Sequence, residues 1–389
     1  MMAREAPDAS DAVYLDNAAT TALDPEVAAV MCRSLSGHGA FANPASIHIA
    51  GRASARAVER ARSQLADLLQ TDPRNLIFTS GATESNNLAI VGAARLRSHR
   101  GRHLITMPTE HKAVTDTFAA LERQGYEVTW LQPDREGVLA TGDLESAIRD
   151  DTQLVSIMHV NNETGVVQDI RDIGECCRRR GVLFHCDAAQ SIGKLPIDLM
   201  SITAHKFHGP QGIGALYVAD RPDCHIQPLF HGGGQERRLR PGTLAVHQIV
   251  GFGEAAAIAA ERQERDLAHL QALNDRLWRG ISGLPGVLRN GSASRSFPGI
   301  LNASVEDIEG ESLLLALEPV CVASGSACNS RSGESSYVLR ALGRDDHLAQ
   351  SAIRFSFGRF TRDSDIDTAI ARYNEAVRHL RGIMPTRAA

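Results

Sequence analysis

Several polar clusters in this chain carry residue types that do chemistry, and each follows an apolar run. The stretch Ser201-Ile-Thr-Ala-His-Lys-Phe-His-Gly-Pro-Gln-Gly212 sets a lysine and two histidines before a Gly-Pro turn. A lysine at a strand end, partly withdrawn from water, has a lowered pKa and attacks a carbonyl to form a Schiff base. The plain alternative is an exposed lysine beside a turn. The run Gly181-Val-Leu-Phe-His-Cys-Asp187 ends in a carboxylate. Buried there, Asp187 needs a cation or strong donors to stay ionised, and a protonated pyridine nitrogen is such a cation. Gln190 follows, placed to bond a phenolic oxygen. Asn75-Leu-Ile-Phe-Thr79 breaks into Ser80-Gly-Ala-Thr-Glu-Ser-Asn86 before a helix over Asn87–Leu96. Strand, small-residue turn and helix start present free N–H groups and a positive dipole end, so an anion would sit at Ala82 and Thr83. An ordinary capped helix is the alternative. Neither a Walker loop nor GxGxxG is present. A lysine, an acidic partner for a ring nitrogen and a helix-end phosphate site together define a pyridoxal phosphate pocket. His111, in Glu110-His111 after a strand, supplies an aromatic face or an acid/base group beside the ring.

These residues need elements to hold them. Short apolar runs at His103–Thr106, Val155–Val160, Gly181–Asp187 and Gly212–Val218 read as strands, and amphipathic segments such as Gly51–Leu69 read as helices. Strands alternating with helices predict an α/β domain with a mostly parallel sheet, whose ligands bind beyond the carboxyl ends of its strands. Asp24-Pro25 opens a helix with proline in its first turn. His231-Gly-Gly-Gly-Gln-Glu236 and Arg240-Pro-Gly-Thr243 read as a loop whose backbone approaches a ligand or another subunit closely. From Gly253 to about Leu284 one long helix reads as a spine between two lobes. Strands at Ile300–Val305, Val320–Ala323 and Ala352–Ser356, with helices between them, make a smaller α/β lobe.

The chain has 389 residues, 43% hydrophobic and 22% charged, with net charge −5. That length exceeds one core and predicts two domains. The negative balance argues against a protein that grips nucleic acid through phosphates. No apolar run reaches membrane-spanning length, and the acidic start, Met1 to Asp11, has no apolar signal core. The 7 cysteines show no CxxC spacing and no HExxH accompanies them, so neither a disulfide framework nor a zinc site is expected. A reducing, cytoplasmic setting fits. Cys328 lies in Ala323-Ser-Gly-Ser-Ala-Cys-Asn-Ser-Arg-Ser-Gly-Glu334, small and polar residues throughout, which marks it as the candidate nucleophile; Cys321 sits among apolar residues instead.

Tyr14-Leu-Asp-Asn-Ala-Ala-Thr-Thr21, Phe78–Asn87, Glu110-His111, Val160–Gly165, Asp187–Ser191, His205-Lys206, Gly232–Glu236, Ser324–Cys328 and Ile353–Ser356 resemble, in collinear order from about residue 13 to 380, cysteine desulfurases of the NifS/IscS type. The resemblance implies the aspartate-aminotransferase fold (fold type I) and a homodimer with pyridoxal 5'-phosphate in each subunit. It implies an N-terminal segment 1–20 packed on the small domain, a large cofactor domain 21–262 and a small domain 263–389 carrying the Cys328 loop. By position, Lys206 holds the cofactor, His111 stacks on its ring, Asp187 pairs with the ring nitrogen and Gln190 with the ring hydroxyl. Asn162 also contacts the cofactor. Ala82, Thr83, Thr203 and His205 take the phosphate, with Thr243 arriving from the other subunit. Arg354 matches the arginine for the substrate carboxylate, and Asn43 assists it. L-cysteine would give up its sulfur to Cys328 as a persulfide and leave as alanine; a sulfur-acceptor protein would then be served. The loop length resembles the iron–sulfur-assembly branch. No resident metal is expected, Cys328 being the one candidate for a transient iron–sulfur ligand.

The sequence departs from the pattern in two places. Past Arg381 it ends at Ala389, without the longer tail that some housekeeping members use to dock a scaffold protein. Family members also carry roughly half a dozen more residues between the Leu-Pro-Ile-Asp-Leu motif and the lysine strand. Here Leu195–Leu199 runs straight into Met200–Lys206, so Ile197-Asp-Leu199 is expected to start the strand itself. Two other readings compete. One is another enzyme of the same fold, such as a selenocysteine lyase or an aminotransferase; the Cys328 segment argues against the latter. The other is a catalytically impaired paralogue acting as an interaction partner, which the complete set of site residues disfavours.

Overall fold

The computed structural model describes residues 12–37, 39–191, 197–324 and 335–383. The chain opens with β1 (Val13–Tyr14), α1 (Pro25–Leu35) and α2 (Ile49–Leu69). Then come β2 (Leu76–Thr79), α3 (Ala82–Leu96), β3 (His103–Thr106), α4 (Lys112–Glu122), β4 (Glu127–Trp130), α5 (Thr141–Ala147), β5 (Thr152–Ser156) and α6 (Ile170–Arg179). β6 (Leu183–Asp187), β7 (Leu199–Thr203) and β8 (Gly214–Val218) follow, and then α7 (Val246–Ile281). The last part holds β9 (Val287–Arg289), β10 (Ile300–Val305), β11 (Val320–Cys321), β12 (Ala323–Ser324) and β13 (Ile353–Ser356), and closes with a helix over Asp363–Ile383.

The large sheet has 7 strands in the order β2-β8-β7-β6-β5-β3-β4. β8 runs antiparallel to both its neighbours, while β7, β6, β5, β3 and β4 pair in parallel. The carboxyl ends of β2, β7, β6, β5 and β3 therefore share one edge, which is where an open α/β sheet binds ligands. Strands β2, β3, β5, β6 and β7 are buried along their whole length. Each carries adjacent apolar residues rather than strict alternation, because helices cover both faces.

Local chemistry sets the helix boundaries. Asp24 caps α1 by accepting from Glu26 N at 3.0 Å, with Pro25 in the first turn. On α2, Val58, Ala61, Leu65, Leu68 and Leu69 recur at helical spacing and are buried. That face meets α7 so closely that a Cβ on Gly253 would stand 2.5 Å from Ala61 Cα. α7 begins at Val246, before the Gly253 expected from sequence. Its first half (Val246, Ile249, Phe252, Ala256) belongs to the core beneath the large sheet, and its second half (Leu270, Leu273, Leu277, Ile281) to the core of the smaller lobe.

Three other expectations change. α3 starts at Ala82, not after Asn86, so the turn shrinks to Ser80-Gly81. The strand expected at Val155–Val160 lies at β5, although Ile157 N and His159 N still donate to His185 O and Asp187 O at 3.1 Å. The strand expected over Val320–Ala323 divides: β11 pairs with β1, and β12 pairs with β13.

The short connection before the lysine keeps its register. Asp198 N donates to Phe184 O at 3.1 Å, and Asp198 O accepts from Ala219 N at 2.8 Å, so sheet bonding begins just before Leu199. β7 then pairs with β6 through Cys186↔Met200 and Asp187↔Ser201. The intervening residues 192–196 lie outside the described residues. Across the lobes, Arg359 bonds Asp24 at 2.9 Å and Asp266 at 2.8 Å, joining the cap of α1 to α7.

Candidate active site

A cleft of about 620 Å³ opens at the shared strand edge. That volume suits a small cofactor with its substrate. Its lining includes Ala82, Thr83, His111, Asn162, Asp187, Gln190, Thr203, His205, Lys206 and Arg354. All but Arg354, which lies within β13 of the smaller sheet, sit at or beyond the carboxyl ends of strands in the large sheet. The Lys206 amine, just after β7, donates to the Ala18 and Ala19 carbonyls, the latter at 2.8 Å. Gln190 Nε2 donates to the same Ala18 carbonyl at 2.8 Å. Asp187, the last residue of β6, accepts from Asn86 Nδ2 at 2.7 Å and from Ala189 N at 2.9 Å.

The turn into α3 shapes one end of the cleft. Gly81 takes φ +151°, a conformation that residues with side chains rarely adopt. It caps α3 without a side-chain acceptor, so the first-turn N–H groups, Ala82 and Thr83 among them, receive no bond from a cap side chain. Thr203 and His205 flank them in the cleft. Burial, helped by the Lys206 charge, pushes the His205 imidazole down to about 4, so the ring is neutral at physiological pH. Its Nδ1 lies 3.1 Å from Thr20 Oγ1.

His111 caps α4, its Nδ1 accepting from Ala113 N at 3.1 Å. That bond leaves the ring proton on Nε2. Burial lowers the His111 pKa, with Asp187 opposing and Lys206 adding to the shift. The N-terminus of α4 disfavours a positive ring as well. Arg354 is buried, donating to Asn162 O at 2.9 Å and pairing with Asp16 Oδ1 at 2.6 Å. Its Nε and Asn162 Oδ1 are buried atoms with no hydrogen-bond partner among the described residues. An uncapped helix start, a doubly held carboxylate, a strand-end lysine and two orphaned polar atoms in one cleft fit a phosphorylated pyridine aldehyde and an amino-acid substrate.

Two expected residues stay outside the cleft of their own chain. Thr243 is exposed, as is Asn43, which lines a separate hollow with Arg62 and Glu236. Cys328 lies outside the described residues. Sequence reasoning passed over several residues in and beside the cleft, of which Ala18 and Ala19 line it. Asp16, Ala18 and Ala19 sit inside the Tyr14–Thr21 motif, and Asn86 inside Phe78–Asn87. Asn86 follows Thr83 by one helical turn, a spacing that could have put it on the same face of α3. Nothing local pointed to Glu163, a buried carboxyl that accepts from Ser336 Oγ. Burial raises its pKa to about 7, against the pull of Ser336, Arg354 and Lys112. Among the described residues, no group of His, Cys, Asp and Glu could hold a metal ion. None of the described helices is long and apolar enough to cross a membrane.

Comparison with known proteins agrees with this geometry. Residues 13–368 match the family model "Aminotransferase class-V". The chain is 54% identical over 381 residues to "Cysteine desulfurase IscS" of Salmonella schwarzengrund (strain CVM19633), covering 96% of this chain and 94% of that protein. Among solved structures, a "NifS-like protein" superposes with TM-score 0.87 at 34% identity, covering 95% of this chain and 100% of the other. "SspA in complex with cysteine" superposes with TM-score 0.79 at 36% identity, covering 90% and 99%. The chain therefore belongs to the class V aminotransferases, fold type I enzymes that use pyridoxal 5'-phosphate, and within them to the cysteine desulfurases of the NifS/IscS type.

Proposed function

We propose that this enzyme takes the sulfur of L-cysteine, releases L-alanine and holds the sulfur as a persulfide on Cys328, supplying iron–sulfur cluster assembly, with tRNA thiolation as a second outlet. The observation that carries the reading is the convergence of Lys206, Asp187, Gln190, His111 and Arg354 on one cleft. Bound there, pyridoxal 5'-phosphate supplies an electron sink for the bond changes beside the substrate amino group. Lys206 holds it and takes the substrate Cα proton on Nζ. Asp187, which accepts from Asn86 and Ala189, would pair with the ring nitrogen; Gln190 would bond the ring hydroxyl, and His111 would stack on the ring. Asn162 contacts the cofactor. Ala82, Thr83, Thr203 and His205 receive the phosphate, with Thr243 of a second copy.

Arg354 receives the substrate carboxylate, and Asn43 assists it. His111 exchanges a proton with the substrate thiol at Nε2. Cys328, as thiolate, attacks the substrate sulfur; the S–S bond forms as C–S breaks, and the electron pair stays on the substrate carbon, which is protonated to alanine. One thiol and one cysteine become one persulfide and one alanine, so no outside oxidant is needed.

The enzyme works as a cytoplasmic homodimer and passes its sulfur to an acceptor protein; it needs neither a membrane nor nucleic acid. Its large domain spans 21–262, and its small domain 263–389 receives the segment 1–20. The pairing of β1 with β11 and the two cores served by α7 support that division. The test is the purified enzyme with L-cysteine under a reductant. Alanine and sulfide in equal amounts are expected; bound cofactor with no alanine overturns the reading.

A further inference from the structure

β2 is the outer strand of the large sheet, paired on one side only, with β8. An open edge leaves backbone groups unpaired and invites a second strand. This edge is closed by side chains. Arg237 donates to Arg74 O, Arg62 Nη1 donates to Leu76 O at 3.0 Å, and Phe78 N donates to Glu236 Oε2 at 2.6 Å. Glu236 also takes bonds of 2.9 and 2.6 Å from Arg62, and both side chains are buried. The Arg62 guanidinium lies 4.4 Å from the centre of the Phe78 ring.

The backbone that brings these groups in is strained. Glu236, Arg237 and Arg238 take φ of 44°, 56° and 66° in succession. Non-glycine residues hold such angles only where their surroundings impose them, and such strain gathers at functional sites. The same loop reaches the next turn of chain. Ser80 N donates to Glu84 Oε2 at 2.7 Å, and Glu84 Oε1 accepts from Arg240 Nε at 2.9 Å. The amides of Phe78 and Ser80 are thus both held from one loop, directly by Glu236 and through Glu84 by Arg240. Gly81, Ala82 and Thr83 come next in the chain, and these residues line the phosphate end of the cleft.

We infer that the loop 235–240 fixes the phosphate-binding turn, with Glu236 and Arg240 as positioning residues that act through the Phe78 and Ser80 amides. This rests on the proposed cofactor site. Neither residue touches the phosphate in this account. They hold the end of β2 and the start of α3 at the spacing that lets the uncapped N–H groups converge on one anion.

The test compares two ligands on the apo-protein, pyridoxal 5'-phosphate and phosphate-free pyridoxal. For Glu236→Gln and Arg240→Gln, affinity for pyridoxal 5'-phosphate is expected to fall at least about tenfold, as for loss of a bond to a charged group, with affinity for pyridoxal within about twofold of the parent. The thermal protection that inorganic phosphate gives the apo-protein is expected to fall in parallel. Equal losses for both ligands, or none for either, would overturn the inference. If Glu236→Gln does not fold, the half-buried Arg240→Gln carries the test alone. A parent protein that binds neither ligand would instead overturn the cofactor reading, and this inference with it.

Discussion

On the proposed role of Arg354 as the carboxylate site, Asp16 competes with the substrate. Arg354 is buried, and its side chain pairs with Asp16 at 2.6 Å. A cysteine carboxylate approaching that guanidinium displaces or shares Asp16. Asp16→Asn therefore lowers KM for L-cysteine while lowering the melting temperature of the free enzyme, because a buried charge loses its partner. Steady-state kinetics and a thermal melt check both signs; a raised KM with unchanged stability contradicts the account. Glu163 gives a pH prediction. Its folded pKa, about 7, lies above the ordinary carboxylate value because of burial. A raised pKa contributes stability that is present below the unfolded value and is lost as pH rises through the folded value. The groups facing it are Ser336, Arg354 and Lys112. Glu163→Gln removes the titration, so the loss of stability of the apo-protein between about pH 5 and 8 becomes shallower, read from melts across that range. Lys206, Asp187, Gln190 and His111 were legible in the sequence because each closes a strand-and-turn motif. The Asp16–Arg354 pair and Glu163 were not, because their partners are far away in the chain and only the fold joins them.

At the scale of elements, α3 shows why boundaries misled. Ser80–Asn86 is rich in small and hydroxyl residues, which favour turns over helix interiors. Tertiary contacts decide otherwise: Ser85 and Asn86 are buried, with Thr79 Oγ1 2.7 Å from Ser85 Oγ and Asn86 bonded to Asp187. The helix therefore begins at Ala82, and the proposed anion site falls on its own first turn. β4 and β9 escaped notice for the opposite reason, since both lie at sheet edges and are only partly buried. The alternation that predicted the parallel sheet was strong in the strands buried on both faces. The contact of α2 with α7 has its own consequence. A Cβ at position 253 would stand 2.5 Å from the Ala61 backbone, which cannot yield without moving α2. Gly253→Leu is expected to destabilise the enzyme by about 2–4 kcal/mol, seen as a lower denaturant midpoint with an unchanged slope. An unchanged midpoint would mean that the helices separate freely.

Over the whole molecule, α7 serves both hydrophobic cores, and Arg359 ties the lobes together close to the cleft. Arg359 bridges Asp24 and Asp266, and its side chain and that of Asp24 are buried. Removing the cation leaves the buried Asp24 carboxylate without its counter-charge, so Arg359→Met costs about 3–5 kcal/mol. Chemical denaturation reads that directly. The Leu195–Leu199 junction, shorter than the family pattern, leaves β7 paired on both sides and Lys206 in the cleft. The central claim is that this cleft moves sulfur from L-cysteine to Cys328. Its most direct test is a single turnover with sulfur-labelled L-cysteine, followed by peptide mass mapping. The account predicts one labelled sulfur atom on the Cys328 peptide and an equal amount of alanine, with Cys328→Ala keeping its cofactor but taking no label. Label on another cysteine, or full turnover in Cys328→Ala, would contradict it.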